Sequence, residues 1–157
     1  MARELPRYKN CLICGDENEI GLKLVFTFAD GKARTTFIPS AGYEGFKGIL
    51  HGGIQAAILD EVMIKAVFAE DVLAVTSGLE IRYRRAADIG RPHNAEGWVV
   101  ARKGRLYETK GRILNDAGEV VAEGKGTFLR VKREMAERLN ESLKSRDEPL
   151  ARHSPVV

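Results

Sequence analysis

Residues 48–69 read GILHGGIQAAILDEVMIKAVFA. From Ile54 to about Ala69 the segment has good helix formers and no internal Gly or Pro, which predicts a helix of ordinary length. Ile54, Ala57, Ile58, Leu59, Val62, Met63, Ile64 and Val67 leave it little polar face. A helix that is apolar nearly all round must be buried on most sides. One sheet wrapped around one helix covers one side only, so a second copy of the chain is the simplest cover for the rest.

Outward from this helix the chain reads as strand. On the N-terminal side, Leu22, Leu24, Phe26 and Phe28 alternate with Lys23, Val25 and Thr27, the period of a half-buried strand. Asp30-Gly31 is a two-residue hairpin signal, and a second strand follows from about Lys32 to Pro39. Residues 40–50 are rich in glycine and small residues and read as a loop. On the C-terminal side, Leu79, Ile81 and Tyr83 alternate with Glu80, Arg82 and Arg84; strands are then expected over 95–103, 106–114 and 119–131. Ala122, Gly124 and Gly126 share a face of the last one, where small residues let another element approach closely. The expected order is β-β-α-β-β-β-β, with hairpin-linked antiparallel strands, so the class is α+β. Residues 1–20 form an N-terminal segment with a Cys-x-x-Cys turn, 21–131 the domain, and 132–157 a charged C-terminal tail. In that tail Met135, Leu139 and Leu143 are spaced for a short amphipathic helix, and 145–157 are expected to fray.

The bulk numbers exclude several classes. A chain of 157 residues suits one compact domain, and 44% apolar residues with no long apolar run argue against a membrane span. The first ten residues lack the apolar stretch of a secretory signal, which places the protein in the cytoplasm. The net charge of +3 does not point to nucleic acid, but nine basic residues against three acids lie between Arg82 and Arg112. Such a local field attracts a phosphorylated small molecule or simply marks a solvated sheet face. Cys11 and Cys14 cannot by themselves close a four-ligand zinc site, and no βαβ pattern follows for a redox pair. They read as small residues in a turn before Gly15, with a metal shared between subunits as the alternative; no metal is expected.

Two features of the helix carry chemical content. It starts from His51-Gly52-Gly53, without Ser, Thr, Asp or Asn as a cap, so N–H donors and the helix dipole are available to a negative group such as an oxyanion. Of the two acids, Glu61 has Lys65 one turn on and forms an ordinary helical ion pair. Asp60 has Ala56, Ala57, Met63 and Ile64 as its helical neighbours, none of which can pair with it. A carboxylate on an apolar face needs a distant partner or a purpose. His51 can serve as a general base, as a donor to a carbonyl, or as a packed residue fixing the loop; His93 and His153 are given no role.

His51-Gly52-Gly53 with Asp60 nine residues after the histidine resembles the hotdog thioesterase superfamily, and most nearly its phenylacetyl-CoA (PaaI-like) branch. The resemblance runs over about residues 11–131 and includes Cys11-x-x-Cys14-Gly15, Gly21-Leu22, Tyr43-Glu44-Gly45, Val75-Thr76, Ile81-Arg82-Tyr83 and the strand from Gly118 to Phe128. It implies an antiparallel sheet wrapped around one long central helix, in a homodimer or homotetramer with sites at the subunit interface. It implies that Asp60 acts as general base or nucleophile on an acyl-CoA thioester. Amides near Gly52 and Gly53 would polarise the carbonyl, His51 would orient the loop or thioester, and Thr76 would position water. CoA phosphates are expected near Arg84, Arg85, Lys103 and Arg105. Phe46, Ile58, Val62 and Leu79 are plausible lining for the acyl group, and Gly45 and Glu61 stand with the substrate-binding candidates. CoA enters only as part of the substrate, with no other cofactor. Two positions depart from relatives: Gly45 stands where several carry Asn, and Arg85-Ala86 where many have a proline. A non-catalytic acyl-CoA binder is the competing function. A hotdog hydratase would need its own His and acid arrangement, which is not found here.

Overall fold

The computed structural model describes residues 1–144. Its strands are β1 (Arg3–Glu4), β2 (Arg7–Tyr8), β3 (Thr27–Ala29), β4 (Lys32–Phe37), β5 (Glu44–Phe46), β6 (Ile49–Leu50), β7 (Ala74–Tyr83), β8 (His93–Lys103), β9 (Leu106–Asn115), β10 (Val120–Arg130) and β11 (Leu143–Lys144). The long helix α1 spans Gly52–Phe68 between β6 and β7, and α2 spans Arg133–Glu141. Seven strands form one antiparallel sheet in the order β1-β3-β4-β8-β9-β10-β7. This sheet wraps α1, as the resemblance implies, and the α+β class follows the expected order of elements.

The turns follow their residues. Asp30 (φ 51°) and Gly31 (φ 73°) are both left-handed, the geometry that matches the twist of the β3–β4 hairpin. Gly104 (φ 60°) sits in the β8–β9 turn, and Gly118 (φ 78°) ends the β9–β10 turn. In that turn Asn115 Oδ1 also accepts from Ala117 N and Glu119 N.

The first strand is shorter than the alternation predicts. Leu22, Leu24 and Phe26 are buried, so the periodicity places their side chains correctly. The backbone there does not join the large sheet, because Lys23 turns left-handed (φ 54°). Leu22 and Leu24 instead donate to the carbonyls of Leu12 and Ile13, and Leu5 donates to that of Phe26. Residues 1–26 thereby lie against one flank of α1, where Arg3 donates to Ala69 O and Lys65 to Pro6 O. The loop at 40–50 holds a 3₁₀ turn (Ala41–Tyr43) and the small β5–β6 pair. In α2 no residue is buried, and Leu143 falls beyond the helix, pairing with Tyr8 in β11–β2. The expected fraying of 145–157 lies outside the described residues.

A row of glycines lets the helix seat itself. Gly97, Gly111 and Gly124 face one another across β8, β9 and β10. A methyl on Gly97 would come within 2.6 Å of Val62 O, one on Gly111 within 2.9 Å of Met63 Cγ, and one on Gly124 within 3.3 Å of Met63 Cε. The helix backbone therefore rests directly on the sheet, and Ile58, Leu59, Val62, Met63 and Val67 are buried around that contact. Each such side chain contributes about 1.5–3 kcal/mol relative to exposure.

One stripe of α1 is left partly open. Gly53, Ala57, Asp60 and Ile64 follow one another at three- and four-residue spacing and are not fully buried. Beside this stripe runs β7, an edge strand that among the described residues is hydrogen-bonded on one side only, to β10.

Candidate active site at the open stripe of the helix

His51 ends β6 and caps α1. Its Nδ1 accepts from Gly53 N at 2.8 Å, and its carbonyl accepts from Ile54 and Gln55. An acceptor Nδ1 carries no proton, so the neutral ring holds its hydrogen on Nε2 and presents a donor outward. This corrects the expectation of an uncapped start: the histidine itself is the cap, and the Gly53 amide is taken. The Gly52 N–H donates to no described group. Gly52 is pinned from above by Tyr83, whose hydroxyl donates to Gly52 O at 2.7 Å.

Gly45 packs against the same histidine. A methyl there would lie 3.2 Å from His51 Cα and 3.2 Å from Cδ2. The position tolerates no side chain without moving His51, which explains locally why no Asn stands there. Phe46 is 80% exposed.

Two turns along α1, Asp60 meets β7. Thr76 Oγ1 donates to Asp60 Oδ1 at 2.8 Å, joining the helix stripe to the edge strand. Burial pushes the Asp60 carboxyl above its ordinary range; the Thr76 hydroxyl pulls it down, and the neighbouring Glu61 charge adds to the rise. Among the described residues, Asp60 is thus a carboxylate held by one hydroxyl, with no cation paired to it.

Other expected site residues lie elsewhere. Glu61 points to the opposite flank, where Oε1 is 3.4 Å from Lys65 Nζ and Oε2 is 3.7 Å from Cys11 Sγ. It is not part of the Asp60 surface, because adjacent helix positions diverge by about 100°. Ile58 and Val62 are core residues with no exposure, whereas Leu79 is 41% exposed on β7 and can line a ligand. The basic run is largely neutralised: Arg82, Arg84, Arg85, Arg91, Arg102, Lys103 and Arg112 each face a carboxylate, Glu80, Glu123, Glu119, Asp116, Glu70, Glu108 and Glu96 in turn. Arg105 donates to Arg130 O. The four residues expected around CoA phosphates do not cluster within one chain. Arg84 and Arg85 follow the end of β7, while Arg105 sits beside Arg130, paired with Ala74 at its start. Ten strand residues separate those ends by roughly 30 Å.

Tyr83 is a site residue that the sequence does not mark with a role. Its signals there are the alternation Leu79, Ile81, Tyr83, which places it on the face of β7 shared with two apolar residues, and its place in the Ile81-Arg82-Tyr83 stretch.

Comparison with known proteins agrees with this architecture. Residues 47–122 match the family model described as Thioesterase superfamily. No curated protein matches the sequence. Among solved structures, protein RHA08564, a thioesterase superfamily protein, is 29% identical with a TM-score of 0.74. The match covers 77% of this chain and 63% of that one, so the chain spans less than two thirds of that protein's length. The PaaI protein from the phenylacetic acid degradation operon of E. coli is 21% identical (TM-score 0.66; 71% of this chain, 81% of that one). A hypothetical thioesterase from Streptococcus pneumoniae, solved with coenzyme A, is 20% identical (TM-score 0.63; 66% and 81%). Two further structures of that protein carry alanine in place of an aspartate and of a threonine sixteen positions later. The sheet wrapped on α1 and the match over α1 to β10 establish a hotdog fold of the thioesterase type.

Proposed function

We propose that the protein is an acyl-CoA thioesterase, releasing a carboxylic acid and CoA, in which Asp60 acts on the thioester as general base or nucleophile. The observation that carries this reading is the half-buried, cation-free Asp60 carboxylate held by Thr76 on the open stripe of α1. A raised carboxyl is a better proton acceptor when ionised, which is what activation of water requires. Asp60 and Thr76 are sixteen residues apart, the same separation as the aspartate and threonine replaced in the streptococcal protein. The free Gly52 N–H at the helix start supplies the donor for the carbonyl oxygen as it gains charge.

One helix cannot supply both groups to one thioester. Gly52 and Asp60 are eight residues apart, about 12 Å along the axis. The reacting carbon must lie within about 3–3.5 Å of its partners. A second copy, related by a two-fold axis and antiparallel at β7, solves this by setting Gly52 of one chain opposite Asp60 of the other. The surface supports such a partner: β7 is a ten-residue strand whose outer edge is free among the described residues, and it exposes Leu79 and Tyr83 beside the open stripe. Long free edges of this kind invite pairing. The same arrangement brings Arg84 and Arg85 of one chain toward Arg105 of the other, uniting the basic residues that lie apart within a chain.

The test is a panel of aromatic, short and medium acyl-CoA substrates with free-thiol detection, run beside Asp60→Asn. The expected result is turnover by the wild type, reduced by about 10³-fold or more in the variant with CoA affinity retained. Binding without turnover of any substrate would replace the thioesterase with an acyl-CoA binder.

A further inference from the structure

We propose that Cys11, Cys14 and Glu61 form a binding site for a thiophilic divalent cation, zinc by preference, which clasps the N-terminal turn to α1. The site stands apart from the Asp60 surface and does not depend on the thioesterase reading. The two sulfurs and a Glu61 oxygen all lie within 4.8 Å of one another. The Cys11 Sγ to Glu61 Oε2 separation is 3.7 Å. Two ligands on a tetrahedral zinc, with Zn–S about 2.3 Å and Zn–O about 2.0 Å, stand about 3.5 Å apart, so little movement is needed. A lone Cys-x-x-Cys pair lacks donors, and here the fold adds a third one from fifty residues away.

The turn is built to present its sulfurs. Cys11 Sγ accepts from Ile13 N at 3.3 Å and Cys14 N at 3.4 Å, contacts that stabilise a thiolate. Gly15 N closes the turn on Cys11 O at 2.9 Å. Any side chain at Gly15 would strike Cys11 N at 2.4 Å, so only glycine fits. Cys14 is 1% exposed, which keeps competing water from one side.

A second observation concerns the groups around the cluster. The Tyr8 hydroxyl is buried and has no hydrogen-bond partner among the described residues, and it is close enough to Cys14, Glu61 and Cys11 to feel the charge of each. It supplies the fourth ligand, directly or through one water. Lys65 Nζ is fully buried, 3.4 Å from Glu61 Oε1, and three rings surround it. The charges balance in both states. Without metal, two thiols, one carboxylate and one ammonium sum to zero. When the cation enters, the two thiols release two protons, and two thiolates, one carboxylate, one dication and one ammonium again sum to zero. A buried site can therefore load without stranding charge.

The experiment uses the full chain, purified under reducing conditions without chelator. Metal analysis should find about one zinc per chain, and Co²⁺ added to chelator-stripped protein should produce a sulfur-to-cobalt charge-transfer band. Glu61→Gln should weaken Co²⁺ affinity at least about tenfold, and a Cys11→Ser, Cys14→Ser double variant should abolish the band. If the double variant does not fold, the wild-type cobalt spectrum alone decides. Substoichiometric metal with no charge-transfer band, or a Cys11–Cys14 disulfide that forms with unchanged rate when zinc is present, would overturn the proposal.

Discussion

Asp60 is the residue on which stability and chemistry pull in opposite directions. Its carboxyl is raised by burial, so the folded chain holds that proton to higher pH than the unfolded chain does. Stability is therefore unaffected below the unfolded value and declines as pH rises from that value through the folded one. Asp60→Asn removes the penalty while keeping an oxygen for Thr76. Its thermal midpoint should rise at neutral pH, with no gain at pH values below the ordinary carboxylate range. Thr76→Val deletes the one hydroxyl that favours the charged form. The midpoint of the pH–rate profile should then move upward, and kcat should fall about 10–100-fold with little change in KM. An unmoved midpoint would separate Thr76 from the carboxylate. At this scale the sequence was informative where contacts are local. Asp60 stands out because its helical neighbours are visible from spacing, whereas Thr76 takes its role only from a family resemblance and Tyr83, although it lies in the same resemblance, receives no site role. Both of those reach the helix from β7, a contact no local pattern records.

At the scale of elements, the seating of α1 rests on the glycine row. Gly97→Ala places a methyl against the helix backbone, which cannot swing aside as a side chain can. It should cost about 1–3 kcal/mol, seen as a lower denaturant midpoint with unchanged m. Gly124→Ala meets the movable ends of Met63 and Ile81 and should cost less. The small face of β10 was legible in the sequence from Ala122, Gly124 and Gly126. Gly97 and Gly111 acquire their meaning only from register across three strands. The same holds for the N-terminal segment. Alternation placed Leu22, Leu24 and Phe26 inside, but the left-handed Lys23 breaks the strand, and Glu61 turns from a plain ion pair into the neighbour of a cysteine turn.

For the whole molecule, the apolar circumference of α1 was the clearest sign in the sequence that one sheet is insufficient cover. The structure sharpens it: residues 1–26 take one flank, leaving the stripe of Gly53, Ala57, Asp60 and Ile64 beside the free edge of β7. Sedimentation at working concentration should show a dimer or a higher even oligomer; a monomer would leave Asp60 without its opposite amide. The basic run of residues 82–112 does not by itself mark a phosphate site, because charge counted along a chain ignores pairing in the fold, and seven of its nine cations face carboxylates.

The most direct measurement is complementation between two inactive variants. Gly52→Pro removes the free amide at a first helical position that accepts proline, after a His51 whose ψ of 133° suits a following proline. Asp60→Asn removes the carboxylate. Each alone should be nearly inactive on the best acyl-CoA. Mixed in equal amounts and allowed to exchange subunits, they should recover about a quarter of wild-type turnover, because half the dimers then carry one intact site. A mixture with confirmed subunit exchange and no more activity than its parents would contradict a site built from the helix start of one chain and the carboxylate of the other.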